Sequence, residues 1–297
     1  MKETIAVAGA TGNLGKRIVN ALVAHGASAV APVRVGSSED KIEDLKRMGA
    51  KVKLLDMSDV EQLASAIDGA SCVVSALQGL RDVIVDTQSS LLRAAVKAEA
   101  PRFIPSDYCV DFRPQPEGEN RNFDLRREFQ VILNKAPVKG TSIFNGAFAD
   151  ILTYNIPLYD AKKTVIGYWD DPDWRVDFTT MDDTAAFTAA AALDSQAPDA
   201  LHIASFQVSA NDLHKYTVDV LHTPFTLVRI GSVAELAEQN RRERAADPEG
   251  EHELYSAWQQ SQYMQSMFTV HHPSLDNTRY EHLTWTPLSD ILKPQAQ

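Results

Sequence analysis

The chain has 297 residues, 44% of them hydrophobic, enough for one large α/β domain or two smaller ones with full cores. A net charge of −11 excludes a dedicated nucleic-acid binder, which presents a basic face. Two cysteines, Cys72 and Cys109, are too few for a disulfide framework, and no apolar run reaches the ~18 residues that span a bilayer.

In chain order, residues 4 to 8 predict a short buried strand, entered with no secretory leader, so the expected location is the cytoplasm. From Leu14 onward, Leu14, Ile18, Ala21, Leu22 and Ala24 keep a helical spacing, while Lys16, Arg17 and Asn20 face outward. Between strand and helix stand Gly9, Gly12 and Gly15, in the spacing G-x-x-G-x-x-G. A helix N-terminus carries unpaired N–H groups and a partial positive charge, and so holds phosphate. Gly9 allows the tight turn, Gly12 lets the backbone approach a pyrophosphate, and Gly15 lets the helix lie close on the strand.

Residues 28 to 33 predict a second strand, 38 to 48 a helix, and 51 to 55 a third strand. Ser58 and Glu61 have the spacing of a capping box, opening a helix that runs to Asp68-Gly69. Residues 71 to 76 read as strand four, 81 to 99 as a long helix, and 102 to 105 as strand five. A polar loop at 113 to 120 precedes a helix at 122 to 134 and strand six at 141 to 144. Alternating strands and helices predict a doubly wound parallel sheet of Rossmann type. Later, strands are expected at 163 to 168, 201 to 205 and 225 to 230. Helices are expected at 182 to 193, after Ser209, at 232 to 246 and at 251 to 267. The fold class is therefore α/β, with a Rossmann-type domain over 1–153 and a smaller α+β substrate domain over 154–297.

In such folds the cofactor is chosen just after strand two: an acid there binds a ribose 2′-OH, whereas an arginine accommodates a 2′-phosphate. Here the strand ends at Arg34, no acid occurs before Glu39, and Lys41 follows one turn into the next helix. A guanidinium matches phosphate oxygens in fork geometry, so the expected cofactor is NADP.

Four stretches carry a family resemblance: GATGNLG from Gly9 to Gly15, Val33-Arg34, the run AEAPRFIPSDY ending at Tyr108, and NFDLRREF over 122–129. Together they resemble the NmrA-like family of atypical short-chain dehydrogenases, which includes the isoflavone reductase and phenylcoumaran benzylic ether reductase group. The resemblance covers roughly residues 3 to 230. It implies NADP at the carboxyl edge of the sheet, a smaller C-terminal domain closing over the nicotinamide, and a 201–205 strand that joins the first sheet. It also implies that Thr11, Asn13 and Leu14 line the pyrophosphate turn with the glycines and that Asp56 lies near the adenine. Ser75, Ala76, Leu77 and Gln78 would border the nicotinamide ribose. Pro105 and Ser106 would lie beneath the nicotinamide, with Asn145, Gly146, Ala147 and Phe148 on its far side.

The chain departs from its relatives in its proton chemistry. Ordinary short-chain dehydrogenases use Tyr-x-x-x-Lys, where the ammonium lowers the phenol pKa. Tyr159 and Lys163 have that spacing, but Pro157 precedes them and 163 to 168 reads as a strand, so they would not share a helix face. The reductase group places a lysine in the helix after strand five, whereas residues 122–129 offer Asp124, Leu125 and Arg126. An arginine stays protonated and is a poor acid. Tyr108, at a strand end, is the proton donor expected in its place.

Other candidates have plainer readings. His271-His272 before Pro273 has no third ligand at metal spacing and reads as a surface loop, so no metal is expected. The charges at 241–244 read as a solvated helix face. Tyr154, Trp169, Trp174 and Phe178 either stack on an aromatic substrate or build the small domain's core. The expected activity is NADPH-dependent reduction of a small aromatic or carbonyl/quinone-type compound, with no nucleic acid or membrane partner. The competing expectation is a redox sensor that binds NADP(H) without turnover and engages a protein partner.

Overall fold

The computed structural model describes residues 2–272 and 274–293. Its first half runs β1 (Thr4–Ala8), α1 (Asn13–Ala24), β2 (Ser28–Arg34), α2 (Glu39–Arg47), β3 (Lys51–Leu55), α3 (Val60–Ala66) and β4 (Cys72–Ser75). A π-helical turn at Asp82–Thr87 then leads into α4 (Gln88–Lys97), followed by β5 (Arg102–Ile104), α5 (Arg121–Leu133), β6 (Lys139–Gly140) and β7 (Ser142–Phe144). The second half contains β8 (Ala147–Phe148), β9 (Val165–Trp169), β10 (Val176–Thr179), α6 (Met181–Leu193), β11 (Ala200–His202) and β12 (Phe206–Val208). It ends with α7 (Ala210–Asp219), β13 (Thr226–Gly231), α8 (Val233–Ala246), α9 (Ala257–Met267) and α10 (Leu288–Ile291).

Strand order β3-β2-β1-β4-β5-β6 forms one sheet in which every pairing is parallel. Only Thr141 separates β6 from β7, and β7 pairs in parallel with β11. The period of two along a strand assigns its side chains to opposite faces. Ile5 and Val7 pack with Ile18 and Leu22 of α1 and with Ala185 and Phe187 of α6. Ala6 and Ala8 pack with Leu63 of α3, Leu91 of α4 and Phe129 of α5. Both faces are covered, which is why these strands read as unbroken apolar runs.

The capping box expected at Ser58 and Glu61 is not formed. Ser58 N–H and Oγ instead donate to Asp56 Oδ1, at 2.9 and 2.8 Å. Asp59 takes over as the cap, its Oδ1 accepting from the N–H groups of Glu61 and Gln62 at 2.9 and 3.0 Å. At the other end of the chain, the helix expected over 251–267 starts only at Ala257, after a separate turn at Pro248–His252.

A second core gathers Leu152, Tyr159, Ile166, Trp169, Phe178, Leu213 and Phe268 under the small sheet β12-β10-β8 and the pair β13-β9. The chain does not stay in this unit after residue 153. Its Ala-rich α6 returns to pack on α1, and β11 lies beside β7. The final segment follows: Phe187 of α6 meets Tyr280 at 4.9 Å and Trp285 at 6.0 Å, and Asp183 accepts from Thr286 N–H at 2.9 Å. Segments beyond residue 153 thus pack on the first layer, among them the strand expected over 201–205. Among the described residues no helix is long and apolar enough to cross a membrane.

Candidate functional site

The turn between β1 and α1 gives each glycine a separate reason. Gly9 has φ of +79°, and a Cβ there would stand 2.4 Å from Ala76 O beyond β4. At Gly15 an added Cβ would lie 2.2 Å from Gly9 O, so the helix could not approach the strand. Gly12 differs: it is exposed, and its Cβ would meet only Gly9 O at 3.2 Å. It caps α1 without any side-chain hydrogen bond, and the first turn contains no acid. The helix therefore presents uncapped N–H groups and an unopposed dipole to whatever lies over Gly12.

The remaining expected residues collect along the same carboxyl edge. Arg34 stands exposed at the end of β2 and Lys41 on α2; neither joins an ion pair among the described residues, while Lys16 and Arg47 both hold Asp44. Beyond β3, the hydrogen bonds from Ser58 keep the Asp56 carboxyl below its ordinary range. Thr11 is half-buried, Asn13 is held by Arg17, and Leu14 packs on the core. Past β4, Ser75 is buried, Ala76 N–H continues the ladder to Ala8 O at 2.9 Å, and Gln78 Nε2 donates to the Tyr255 hydroxyl at 2.5 Å. Ser106 follows the buried Pro105, and its hydroxyl donates to Leu77 O at 2.7 Å, joining the ends of strands four and five. Asn145 is fully buried, its N–H donating to Cys109 O at 3.0 Å, and Phe148 beyond it is half-buried. The strand order reverses direction between β1 and β4, and open α/β sheets bind ligands at such a switch point.

Tyr108 does not reach this edge. It lies in the core cluster with Ile104, Ile143 and Phe187, and its hydroxyl is buried beside Thr188. Burial pushes its pKa up, and a phenol sealed in the core has no route to a reacting atom. This burial weighs against Tyr108 as the proton donor. Other aromatic side chains also resolve. Trp169 and Phe178 build the second core and Trp174 Nε1 donates to Met267 O at 3.0 Å, while Tyr154 remains exposed. Tyr159 stacks on Phe225 at 5.1 Å in that core, and Lys163 pairs with Asp160 at 3.1 Å, so the two make no dyad. His272 is likewise not a surface residue: its side chain is 11% exposed and its Nδ1 lies 2.8 Å from Asp177 Oδ2. Both thiols are buried, which pushes Cys72 and Cys109 up to about 12.

What the sequence did not single out is a group around Arg126. Its Nε donates to Ser106 O at 3.1 Å and its Nη1 to Asn122 O at 3.0 Å. Asn122 Nδ2 donates in turn to the Tyr263 hydroxyl at 3.3 Å, and the Tyr263 phenol faces the Arg126 guanidinium. Tyr263 comes from α9, far away in sequence, and no spacing in the sequence links it to Arg126. Burial raises its pKa while Arg126 opposes the rise.

Asp107 sits beside them, fully buried, with Oδ2 accepting from Ser142 Oγ at 2.9 Å and Oδ1 unpartnered. Burial pushes its pKa from 3.8 up to about 6. The folded state therefore favours the protonated carboxyl, and the stability this contributes below pH 4 is lost as pH rises through about 6. Asp107→Asn removes that loss. It should stabilise the protein at pH 7 by up to about 3 kcal/mol and leave stability at pH 4 nearly unchanged, as urea melts at both pH values will show.

The NmrA-like family model matches residues 1–221. Pinoresinol reductase 2 of Arabidopsis thaliana is 30% identical over 203 residues, 63% of this chain and 64% of that protein, so the match spans less than two thirds of the relative. Among solved structures, isoflavone reductase superposes with a TM-score of 0.81 at 17% identity over 98% of both chains. The leucoanthocyanidin reductase–NADPH complex from Vitis vinifera gives 0.77 at 16% identity over 97% of both. At these identities the structural likeness carries the fold alone.

Proposed function

We propose, from the premise that this chain belongs to the NmrA-like family, that it is an NADPH-dependent oxidoreductase reducing a small aromatic or carbonyl/quinone-type compound. One observation carries the cofactor reading: the open, uncapped α1 N-terminus over Gly12, with the exposed Arg34 and Lys41 on the same strand-end edge. NADPH would lie with its pyrophosphate over Gly9, Thr11, Gly12, Asn13, Leu14 and Gly15. Its 2′-phosphate would meet Arg34 and Lys41, and its adenine would lie near Asp56. The nicotinamide end would rest among Ser75 to Gln78, Pro105, Ser106, Asn145 and Phe148. When bound, the cofactor supplies the hydride; the chain binds, orients and protonates.

For the proton we assign Tyr263. Arg126 cannot donate, because a guanidinium does not deprotonate near neutrality. Placed against Tyr263, it would stabilise the phenolate that remains once the tyrosine has given its proton to the substrate oxygen. This replaces the absent lysine by dividing its work between two residues. The similar proteins, pinoresinol, isoflavone and leucoanthocyanidin reductases, favour an aromatic substrate. The buried thiols suit the reducing cytoplasm.

Two measurements test the reading. Arg34→Ala should weaken NADPH binding by ~1.5 to 3 kcal/mol, the scale of a charge-assisted hydrogen bond, and leave NADH binding nearly unchanged. Equal losses for both cofactors would remove Arg34 from the site. Stopped-flow NADPH oxidation across quinones, aldehydes and aryl ethers should reveal turnover with at least one class. Tight NADPH binding with a flat result throughout would leave the sensor, for which the missing lysine at 122–129 already speaks.

A further inference from the structure

Asp111 lies in the loop after β5, His202 at the end of β11, and His272 beyond α9, and the fold brings all three together. His202 Nε2 is 3.0 Å from Asp111 Oδ2, and the two imidazole centroids are 4.4 Å apart. One ligand atom from each of the three residues lies within 4.8 Å of the other two. The Asp111 side chain is 8% exposed and stays ionised: burial would raise its pKa, but hydrogen bonds from Arg113 and His202 outweigh burial and hold it well below the usual carboxylate range.

His272 adds the decisive detail. Its Nδ1 is 2.8 Å from Oδ2 of Asp177, a carboxylate that also accepts from Gln207 Nε2 at 2.6 Å through Oδ1. In the tautomer that carries its proton on Nδ1, toward the Asp177 carboxylate, His272 Nε2 is a bare lone pair, and that atom is buried without a hydrogen-bond partner among the described residues. Buried polar atoms left unpaired are costly, and an orphan in a folded protein calls for an explanation. A carboxylate behind an imidazole is also the arrangement that orients metal-bound histidines and strengthens them as ligands.

We propose that Asp111, His202 and His272 bind a borderline divalent cation such as Zn2+, with Asp177 holding His272 in the ligating tautomer. Two imidazoles and one carboxylate suit such an ion, and three protein ligands leave a fourth position for water. The cation would take the place of the hydrogen between His202 Nε2 and Asp111, with the imidazole proton then carried on Nδ1. It would join the loop after β5, β11 and the C-terminal segment through a single centre. A competing cation stands beside the site. Arg113 Nε lies 2.8 Å from Asp111 Oδ1, with Nη2 2.5 Å from Oδ2. The Arg113 side chain is 47% exposed, so it can swing into water when the ion arrives.

The test uses the full chain after chelator treatment, titrated with Zn2+ by calorimetry and with Co2+ by visible absorption. One Zn2+ per chain at micromolar concentration or below, and the visible bands of four-coordinate Co2+, are expected. His202→Ala and His272→Ala should abolish both signals, and Asp177→Asn should weaken Zn2+ by about 10- to 100-fold. Arg113→Ala removes the competing cation and should tighten binding, an effect that a purely structural hydrogen-bond cluster would not give. Circular dichroism melts establish that each variant is folded, and the exposed Arg113 supplies a variant whose folding is not at stake. A wild-type chain that binds no Zn2+ at micromolar concentration overturns the proposal. So does Zn2+ binding that survives unchanged in folded His202→Ala and His272→Ala, or that is not tightened in Arg113→Ala.

Discussion

Gly12→Val is expected to weaken binding of NADPH and NADH alike by at least ~100-fold while leaving a folded protein. The backbone at Gly12 is extended, with φ of −82° and ψ of 170°, a conformation valine adopts freely. Its Cβ meets only Gly9 O at 3.2 Å within the protein, so the branched side chain projects into the space over the α1 N-terminus. A pyrophosphate kept out of that space loses several charge-assisted hydrogen bonds at once, each worth about 1.5 to 3 kcal/mol. Gly15→Val provides the contrast. There the new Cβ would meet Gly9 O at 2.2 Å, so the helix must leave the strand and the melting temperature should fall sharply. Calorimetric binding and thermal melts of both variants separate the two roles. If Gly12→Val binds NADPH as the parent does, the motif is structural only.

Tyr263→Phe is expected to lower kcat by ~100-fold or more on the best substrate, with NADPH affinity unchanged. The substitution keeps the ring that meets Phe123 at 5.4 Å and removes only the hydroxyl that Asn122 and Arg126 address. Tyr108→Phe is the internal control. Its hydroxyl is buried in the core, so its removal should change turnover by less than about threefold. Arg126→Lys adds a readout that a packing role would not move. A lysine that can itself titrate should shift the pH profile of kcat, because the phenolate is then stabilised by a group with an accessible pKa. A Tyr263→Phe enzyme within threefold of the parent would return the proton to bound water, and the reductase reading would then rest on the hydride step alone.

The parts of this protein that its sequence determines by itself are those governed by neighbours along the chain. Sequence patterns over 4–8, 14–24, 28–33 and 51–55 predict β1, α1, β2 and β3 because short apolar runs between turn signals mark strands and a 3.6-residue repeat marks a helix, wherever the rest of the chain lies. The glycine turn is legible for the same reason: a tight turn, an open helix end and a close helix–strand contact all arise within seven residues. The cap of α3 shows where this local reasoning ends. Ser58 and Asp59 are both good caps in isolation, and the choice fell to Asp59 because Asp56 had already engaged Ser58.

Whatever depends on residues far apart was left to the tertiary structure. Nothing in the local sequence separates the roles of Tyr108 and Tyr263. Only the return of α6 across the sheet buries the first, and only the docking of α9 beside α5 brings the second to Arg126. The short strands β8, β10 and β12 have no periodicity to read, since two to four residues are held by their pairing and not by local preference. Asp111, His202 and His272 carry no spacing signal, because the loop after β5, β11 and the C-terminal segment meet only when the chain has folded back on its first layer. Sequence can state which residues could ionise or donate, but solvent exclusion by distant segments decides which of them do.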